Sequence, residues 1–134
     1  MKIKYSDIEK AFMMKSISPF DILEDRELFN IASVATVKQF SPRENIQLEH
    51  EMSHEVFLVI DGSVASLNSN EPVKIIGIKS VLDDTIVTQS LIAGDDGATC
   101  LRIGKGHFLT AIYECPAMLV KLTDIKKSQQ NYYI

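Results

Sequence analysis

The sequence lacks a basic surplus, a long apolar run and a secretion signal, and each absence excludes a class of function. Its 18 acidic residues outnumber its 14 lysines and arginines, which gives a formal net charge of −4. Such a chain has no positive field to attract nucleic acid or an anionic membrane surface. No apolar run approaches the ~20 residues that a membrane span requires. The N-terminal MKIKYSDIEKAF has neither an apolar core nor a small-residue cleavage site. We therefore expect a cytoplasmic protein that neither binds nucleic acid nor inserts into a membrane.

Cysteine is also scarce, with Cys100 and Cys115 as the two thiols. They can form a disulfide or remain separate, and the absence of a secretion signal favours two buried thiols in a reducing compartment. A nucleophilic cysteine needs an adjacent base and a lowered thiol pKa. His107 is the only histidine near them in the sequence, and nothing else supports such a pair. Both cysteines are therefore predicted to be core thiols.

What the sequence does contain is typical of one globular domain. Its 134 residues, 46% apolar and 24% charged, suit a single core, so one domain is predicted over residues 1–134. Helical spacing of apolar residues predicts helices over about 6–35, and the pattern then changes to period two over about 36–104. Helical spacing returns over about 105–128. The sequence Ser6–Glu9 matches a helix capping box, which marks the expected start of the first helix.

Turn residues divide the central segment into short strands. The apolar run Glu55–Ile60 is the strongest strand signal, and the Asp61–Gly62 pair after it is predicted to form a hairpin turn. A second turn is predicted at Gly94–Gly97, between strands over about 85–93 and 98–103. Roughly seven or eight short strands at this spacing indicate a small β-sandwich or barrel.

Helices, then short strands, then helices is the order found in the cyclic-nucleotide-binding domain, and the local sequence supports the resemblance. Ile17–Phe20 followed by Leu28 resembles the opening of that family, and Glu55–Val64 resembles its central hairpin with a glycine turn. Further positions that fit in order are Glu44, Ile46, Glu49, Ile76, Gly77, Leu82, Ala93, Leu101, Ile103 and Phe108. The resemblance implies a mainly β fold, namely a cupin-like jelly-roll β-barrel of the cyclic-nucleotide-binding type with N-terminal and C-terminal α-helices.

The family's phosphate-binding cassette is present in position but altered in chemistry. In the family a Gly-Glu pair opens the cassette, with the glutamate on the ribose hydroxyl, and an arginine near its end pairs with the cyclic phosphate. Here Gly77 matches the glycine, whereas Ile78 stands in the glutamate position and Val87 in the arginine position. Lys79 and Thr88 are the remaining polar candidates, and a lysine lacks the planar fork of arginine. The vestigial cassette implied by the resemblance consists of Gly77, Ile78, Lys79, Ser80, Val81, Val87 and Thr88.

These replacements predict little or no binding of cyclic AMP or cyclic GMP. A buried phosphate without a cation loses hydration that nothing replaces. The loss of an arginine–phosphate pair and a ribose hydrogen bond should cost about 3–5 kcal/mol or more, equivalent to roughly 10²–10⁴ in affinity. Two further family glycines are replaced by Arg43 and His50, which implies adjusted turns at those positions.

The cluster His50, His54 and Glu55 raises the alternative of a metal-dependent enzyme of the cupin type. Cupins place two histidines one residue apart, so that both face the same side of a strand. Here three residues separate the histidines, in a predicted turn, and His107 lies far along the chain. A solvated turn is therefore the preferred interpretation, and neither a metal nor another cofactor is predicted.

The sequence thus favours a non-catalytic regulatory or interaction module. Its partner would be another protein or a neighbouring domain, and a homodimer is also open. A sensor of a cyclic nucleotide or another small ligand, with Lys79, Ser80 and Thr88 as substitute contacts, is the first alternative. The cupin-type enzyme is the second.

Overall fold

The computed structural model describes residues 4–47, 50–66, 71–87 and 89–134. The helices are α1 (Asp7–Lys15), α2 (Asp25–Val34), α3 (Ile78–Asp83), α4 (Lys105–Glu114) and α5 (Ala117–Ser128), with a short 3₁₀ turn at Phe20–Ile22. The strands are β1 (Thr36–Phe40), β2 (Asn45–Gln47), β3 (Glu55–Ser66), β4 (Ile75–Ile76) and β5 (Leu91–Gly104). The predicted fold class, rich in strands with helices at both ends, is confirmed. None of the described helices is long and apolar enough to cross a membrane.

The sheet is organised around the antiparallel pair of β3 and β5. Their register runs from Glu55 opposite Gly104 to Ser66 opposite Leu91. β1 pairs with the second half of β5, β2 with its first residues, and β4 with the first half of β3. Every other strand in the described part of the chain therefore takes its ladder of main-chain hydrogen bonds from β3 or β5.

Both long strands, β3 and β5, bend at the same place. The prediction of two hairpin turns from the sequence is wrong. Asp61–Gly62 and Gly94–Gly97 lie within continuous strands, where the register shifts. Gly62 and Gly97 have φ angles of 73° and 77°, and a Cβ on Gly62 would collide with the main chain of Gly97. A bulge requires the same left-handed backbone as a turn, so the glycines mark a corner rather than a reversal. The described residues therefore form five strands, fewer and longer than expected.

The N-terminal helices are tied together by a buried lysine. Ser6 and Glu9 form the expected capping box, in which the Glu9 N–H donates to the Ser6 hydroxyl at 3.1 Å. Lys10 is only 7% exposed. Its ammonium donates to the Ala35 carbonyl at 2.7 Å and lies 3.2 Å from the Asp7 carboxylate. Because Ala35 closes α2, this cation satisfies a carbonyl at the negative end of α2 and holds it against α1.

Two clusters of buried side chains form the core. The larger joins the helices to the sheet and contains the Phe20 and Phe108 rings, whose centroids are 6.3 Å apart. The smaller is built mostly from strand residues, including Phe40, Leu91 and Cys100. Since each fully buried large apolar side chain contributes about 1.5–3 kcal/mol, the larger cluster holds the helices firmly on the sheet.

The turns at Arg43 and His50 keep the backbone conformation that glycine favours. The prediction that these turns are adjusted is therefore also wrong. Arg43 has a φ angle of 61° and His50 one of 74°, in the left-handed region that residues with a Cβ rarely adopt. The His50 N–H donates to the Val87 carbonyl at 2.9 Å, and the Arg43 N–H donates to the Gly94 carbonyl at 3.3 Å. Each turn thus keeps its main-chain bonds at the expense of local strain.

Replacement of His50 or Arg43 by glycine should therefore raise the free energy of unfolding by about 0.5–1 kcal/mol each, because glycine adopts positive φ without a Cβ clash. The Arg43–Asp95 ion pair is 77% and 81% exposed, so its loss should subtract little. Urea unfolding at fixed pH measures the change. Glu51→Gly is the matched control, since Glu51 is exposed, adjoins His50 and is not among the positive-φ residues. It should destabilise the protein, and an equal loss in all three variants would contradict the assignment of strain.

Candidate ligand site

The residues assigned to the phosphate cassette lie at the junction of β4 and α3. Gly77 connects the two elements with a φ angle of 95°. A Cβ at this position would collide with the Glu55 carbonyl on β3. Glycine is therefore required both by the backbone conformation and by the close approach of another strand. This requirement does not depend on any ligand.

The apolar side chains of the predicted cassette are buried. Ile78 and Val81 are each 1% exposed, and Val87 is 7% exposed. The Val87 N–H donates to the Glu51 carbonyl at 2.7 Å, and its carbonyl accepts the His50 N–H. These side chains offer neither a charge nor a hydrogen bond, so they give an anion no replacement for its hydration.

The polar residues of the cassette are either engaged within the fold or face solvent. The Ser80 hydroxyl accepts the Ser53 N–H at 2.8 Å and donates to the Thr85 carbonyl at 2.5 Å. Lys79 is exposed, and Thr88 lies outside the described residues. Ser80 therefore fixes the loop around α3, and Lys79 is the cassette residue whose charge faces solvent.

After α5 the chain returns to the edge of β4, and we call Tyr132–Ile134 the return segment. It lies parallel to β4, with Tyr133 opposite Ile75. The Ile75 N–H donates to the Tyr132 carbonyl at 3.1 Å, and the Ile134 N–H donates to the Ile75 carbonyl at 2.9 Å. Because β4 pairs with β3 on its other edge, the return segment covers the edge that the ladder leaves open.

The return segment also reaches the opening of the cassette. The Ile134 carbonyl accepts the Gly77 N–H at 2.7 Å and the Ile78 N–H at 3.0 Å. Both donor residues are buried, and buried main-chain donors are costly to leave without an acceptor. The acceptor at this position is therefore a main-chain oxygen of the chain itself, that of Ile134.

Side chains fasten the return segment to both core clusters. Tyr132 and Tyr133 pack against the larger cluster and Ile134 against the smaller one. The Lys126 ammonium lies 4.8 Å from the centroid of the Tyr133 ring and donates to the Tyr133 carbonyl at 3.3 Å. Burial, followed by the charge of Lys79, lowers the pKa of Lys126. Burial is also the main cause that raises the pKa of both tyrosines.

A cavity of about 310 Å³ adjoins the return segment beside α3. Its lining consists of Gly77, Lys79, Ser80, Asp83, Thr85, Ile86, Val87 and Ile134. Among the described lining residues Lys79 is the cation and Asp83 the anion, so their charges offset each other and do not concentrate a phosphate. This composition suits an uncharged, partly apolar occupant.

The return segment was not predicted from the sequence. The signal that was available is the triplet Tyr132–Ile134, because aromatic and β-branched residues favour an extended strand. A three-residue pattern does not reveal its partner strand, however, and the pairing with β4 rests on main-chain bonds to residues far away in the sequence.

The other residues that the sequence singled out do not assemble a second site. Within the described ranges, no group of three His, Cys, Asp or Glu side chains is placed to hold a metal ion. Glu55, from the cluster with His50 and His54, lies 3.0 Å from the Arg102 guanidinium instead. On the side chains that the structure describes, the cupin alternative has no set of ligands.

The two cysteines are free thiols in different surroundings. Cys100 is fully buried on β5, and burial raises its pKa to about 12. It therefore stays protonated at neutral pH, which removes its nucleophilicity. Cys115 is half-buried at the end of α4, at the edge of the larger cluster. The predicted core position describes Cys100 fully and Cys115 only in part.

Ser80→Ala tests the structural role of the one fully engaged cassette hydroxyl. It leaves the Ser53 N–H and the Thr85 carbonyl without their partner, so the free energy of unfolding should fall by about 1–3 kcal/mol in urea titrations. Ser33→Ala is the matched control. The exposed Ser33 hydroxyl donates to the Asn30 carbonyl within α2, and its loss should change stability by less than about 0.5 kcal/mol. Equal effects of the two substitutions would show that Ser80 does not fix this loop.

No family model matches this sequence, and no curated protein matches it. Solved structures do match. The regulatory domain of Toxoplasma gondii PKA, in a co-crystal with cAMP, has a TM-score of 0.73 at 15% identity, over 88% of this chain and 49% of that chain. The regulatory subunit of a cAMP-independent protein kinase A from Trypanosoma cruzi, bound to guanosine, has a TM-score of 0.71 at 15% identity, over 95% and 49%. A cyclic nucleotide-binding-like protein from Brucella abortus has a TM-score of 0.61 at 14% identity, over 78% and 97%.

This chain spans about half the length of the two kinase regulatory structures. At identities of 14% to 15% the likeness concerns the fold. In this chain the strand-rich body has helices at both ends, and the β4–α3 junction lies against β3. The chain has the fold of a cyclic-nucleotide-binding domain.

Proposed function

We propose that this chain is a non-catalytic regulatory or interaction module that uses the cyclic-nucleotide-binding fold without binding cyclic AMP or cyclic GMP. The observation that carries the proposal is the composition of the cassette. Ile78 and Val87, which the family resemblance assigns to the ribose and phosphate positions, are buried apolar side chains. The Ile134 main-chain oxygen accepts the N–H groups of Gly77 and Ile78 at the start of the cassette.

The electrostatics of the cassette oppose an anionic ligand. A cyclic phosphate that enters this site loses hydration, and recovery requires a cation or several donors. Lys79 faces solvent, and Lys126 already donates to the Gln130 carbonyl at 2.7 Å and to the Tyr133 carbonyl. Among the described residues the site thus offers a cyclic nucleotide no bidentate cation, and the Gly77 and Ile78 amides already have an acceptor.

The reactive side chains also support a non-catalytic role. The Cys100 thiol has a pKa of about 12 because it is buried, and such a thiol is a poor nucleophile. Glu55 is paired with Arg102, and Asp84 is paired with Lys105. Both carboxylates are therefore already engaged by a cation of the fold.

A protein partner is supported by the apolar side chains on the outer faces of the helices. Phe12 on α1 is 76% exposed, Tyr113 on α4 is 87% exposed and Val120 on α5 is 63% exposed. Phe12 lines one groove with Ile8 and with Phe29 of α2, and clustered exposed apolar groups mark surfaces that contact other proteins more often than single ones do. The T. gondii and T. cruzi structures are regulatory parts of protein kinases. We therefore favour regulation through protein contacts as the function of this chain.

Isothermal titration calorimetry of the unaltered protein tests the proposal. No saturable binding of cyclic AMP or cyclic GMP is expected up to about 1 mM, a limit that corresponds to roughly −4 kcal/mol. A micromolar dissociation constant overturns the proposal.

A variant that restores the missing groups should bind cyclic AMP, and it serves as the positive counterpart of this titration. Ile78→Glu with Val87→Arg supplies a ribose acceptor and a phosphate cation, and it should bind cyclic AMP at least about tenfold more tightly than the unaltered protein. Ile78→Gln with Val87→Met is the matched control of similar size without charge, and it should gain nothing. Far-UV circular dichroism verifies that both variants remain folded.

An uncharged nucleoside is a second candidate ligand, favoured by the cavity of about 310 Å³ beside α3. The T. cruzi regulatory subunit is bound to guanosine, which carries no phosphate and needs no cation. A thermal-shift titration with guanosine and adenosine tests this candidate. A ligand at about 100 times its dissociation constant should add roughly 2.7 kcal/mol and raise Tm by several degrees. An unchanged Tm at millimolar nucleoside removes the candidate.

A further inference from the structure

The edge of β4 that faces the return segment is a continuous row of main-chain donors and acceptors. The N–H groups of Lys74 and Ile75 both donate to the Tyr132 carbonyl, at 2.8 and 3.1 Å. Further along, the Gly77 and Ile78 N–H groups both donate to the main-chain oxygen of Ile134. We call Lys74–Ile78 the strand slot. Its bonding pattern is that of an extended peptide added to a sheet edge.

The strand slot always requires an acceptor. While the return segment is in place, Gly77 and Ile78 are buried, and the Ile134 main-chain oxygen is the acceptor that their N–H groups require. The slot is also more than a row of amides, because Ile75 supplies a carbonyl that accepts the Ile134 N–H at 2.9 Å. A group that satisfies donors and this acceptor at strand spacing is a peptide main chain, whereas an anion satisfies only the donors.

The slot selects side chains as well as main chain. The two tyrosines of the return segment pack on the larger core cluster, and Ile134 packs on the smaller one. Lys126 adds a cation–π contact to Tyr133. A segment that fits therefore has an aromatic residue, a second aromatic residue and an aliphatic residue in succession.

The return segment forms a much shorter pairing than the β3–β5 ladder, and its five main-chain bonds to the strand slot are made by Tyr132 and Ile134. It forms a single isolated bridge with β4, whereas the β3–β5 ladder is paired along almost its whole length. The approach to it is exposed at Gln129 and Gln130, and the bond from the Asn131 amide to the Glu71 carboxylate is also exposed. Segments with few buried contacts and exposed hydrogen bonds open at low free energy.

We propose that the strand slot is a binding site for an extended peptide segment of a partner protein, with the pattern aromatic–aromatic–aliphatic, and that the return segment fills this site in cis. Release of Tyr132–Ile134 and binding of the partner segment are then two halves of one exchange. This inference deepens the proposed function, because it names the class of protein that the module contacts and the residues that receive it.

Hydrogen exchange on the unaltered full chain tests whether the occupant leaves the slot. The Gly77 and Ile78 amides should exchange at least 100-fold faster than the amides of Leu58 and Leu101, which lie within the β3–β5 ladder, because only the former are freed when the return segment opens. Equal protection of all four amides means that the return segment is a permanent strand, and this result overturns the inference.

A peptide in trans tests whether the slot accepts a new occupant. The probe is SQQNYYI, the sequence of residues 128–134, and the receptor is the full chain with Tyr132→Ser, Tyr133→Ser and Ile134→Ser. The variant should bind the probe at least tenfold more tightly than the unaltered protein, because its own segment no longer competes. The control probe SQQNSSS should not bind, and the control variant Leu109→Ser, altered at an exposed site on α4, should behave as the unaltered protein does.

A folded triple variant that does not bind the probe overturns the inference. If the triple variant does not fold, the hydrogen-exchange result on the unaltered chain decides the question. The nucleotide titration decides the proposed function separately. If the chain binds neither the nucleotides nor the peptide, the proposed function stands and the peptide site is excluded. If it binds cyclic AMP in the micromolar range and also binds the peptide, the proposed function is excluded and the peptide site stands.

Discussion

The pairing of β3 with β5 is the interaction on which the rest of the structure depends. β1, β2 and β4 each form their ladder with one of these two strands, and the buried side chains Leu58 and Leu101 carry the ribbon into the core beneath the helices. The cassette is positioned by the same ribbon, since β4 is held by β3 and the Glu55 carbonyl closes on Gly77. A change that breaks this pairing therefore removes the site together with the fold.

A ribbon of this length packs both core clusters only because it turns a corner. Gly62 and Gly97 supply the left-handed backbone on the two opposed strands, and the bulge increases the local twist. Arg43 and His50 show the same conformational demand met by residues with a Cβ. The fold thus imposes its backbone on the sequence at these turns, at an energetic cost that other contacts offset.

Local signals predicted the parts of the structure that local physics decides. The capping box at Ser6 and Glu9 fixed a helix start, and the apolar periodicities indicated helices at both ends around a strand-rich body, all of which the structure confirms. Asp–Gly pairs such as Asp61–Gly62 gave a wrong prediction of hairpin turns. A hairpin turn and a bulge both favour glycine, and they differ only in what the next strand pairs with. The cassette positions Ile78 and Val87 came from the family resemblance, and their assignment as ligand positions remains a prediction. The return segment was beyond sequence reasoning, since its bonds to β4 are made by main-chain atoms that every residue has.

The short connection between α5 and the return segment determines what kind of signal the strand slot can register. Tyr132 follows the end of α5 by only a few residues, and a tether this short keeps its segment at an effective concentration in the millimolar range. A free peptide of micromolar abundance does not compete with such a neighbour, however well it fits. A segment carried on a docked partner has a comparable local concentration and does compete. If the strand slot binds a partner segment as proposed, the module responds to which protein is beside it rather than to the concentration of a free peptide in solution.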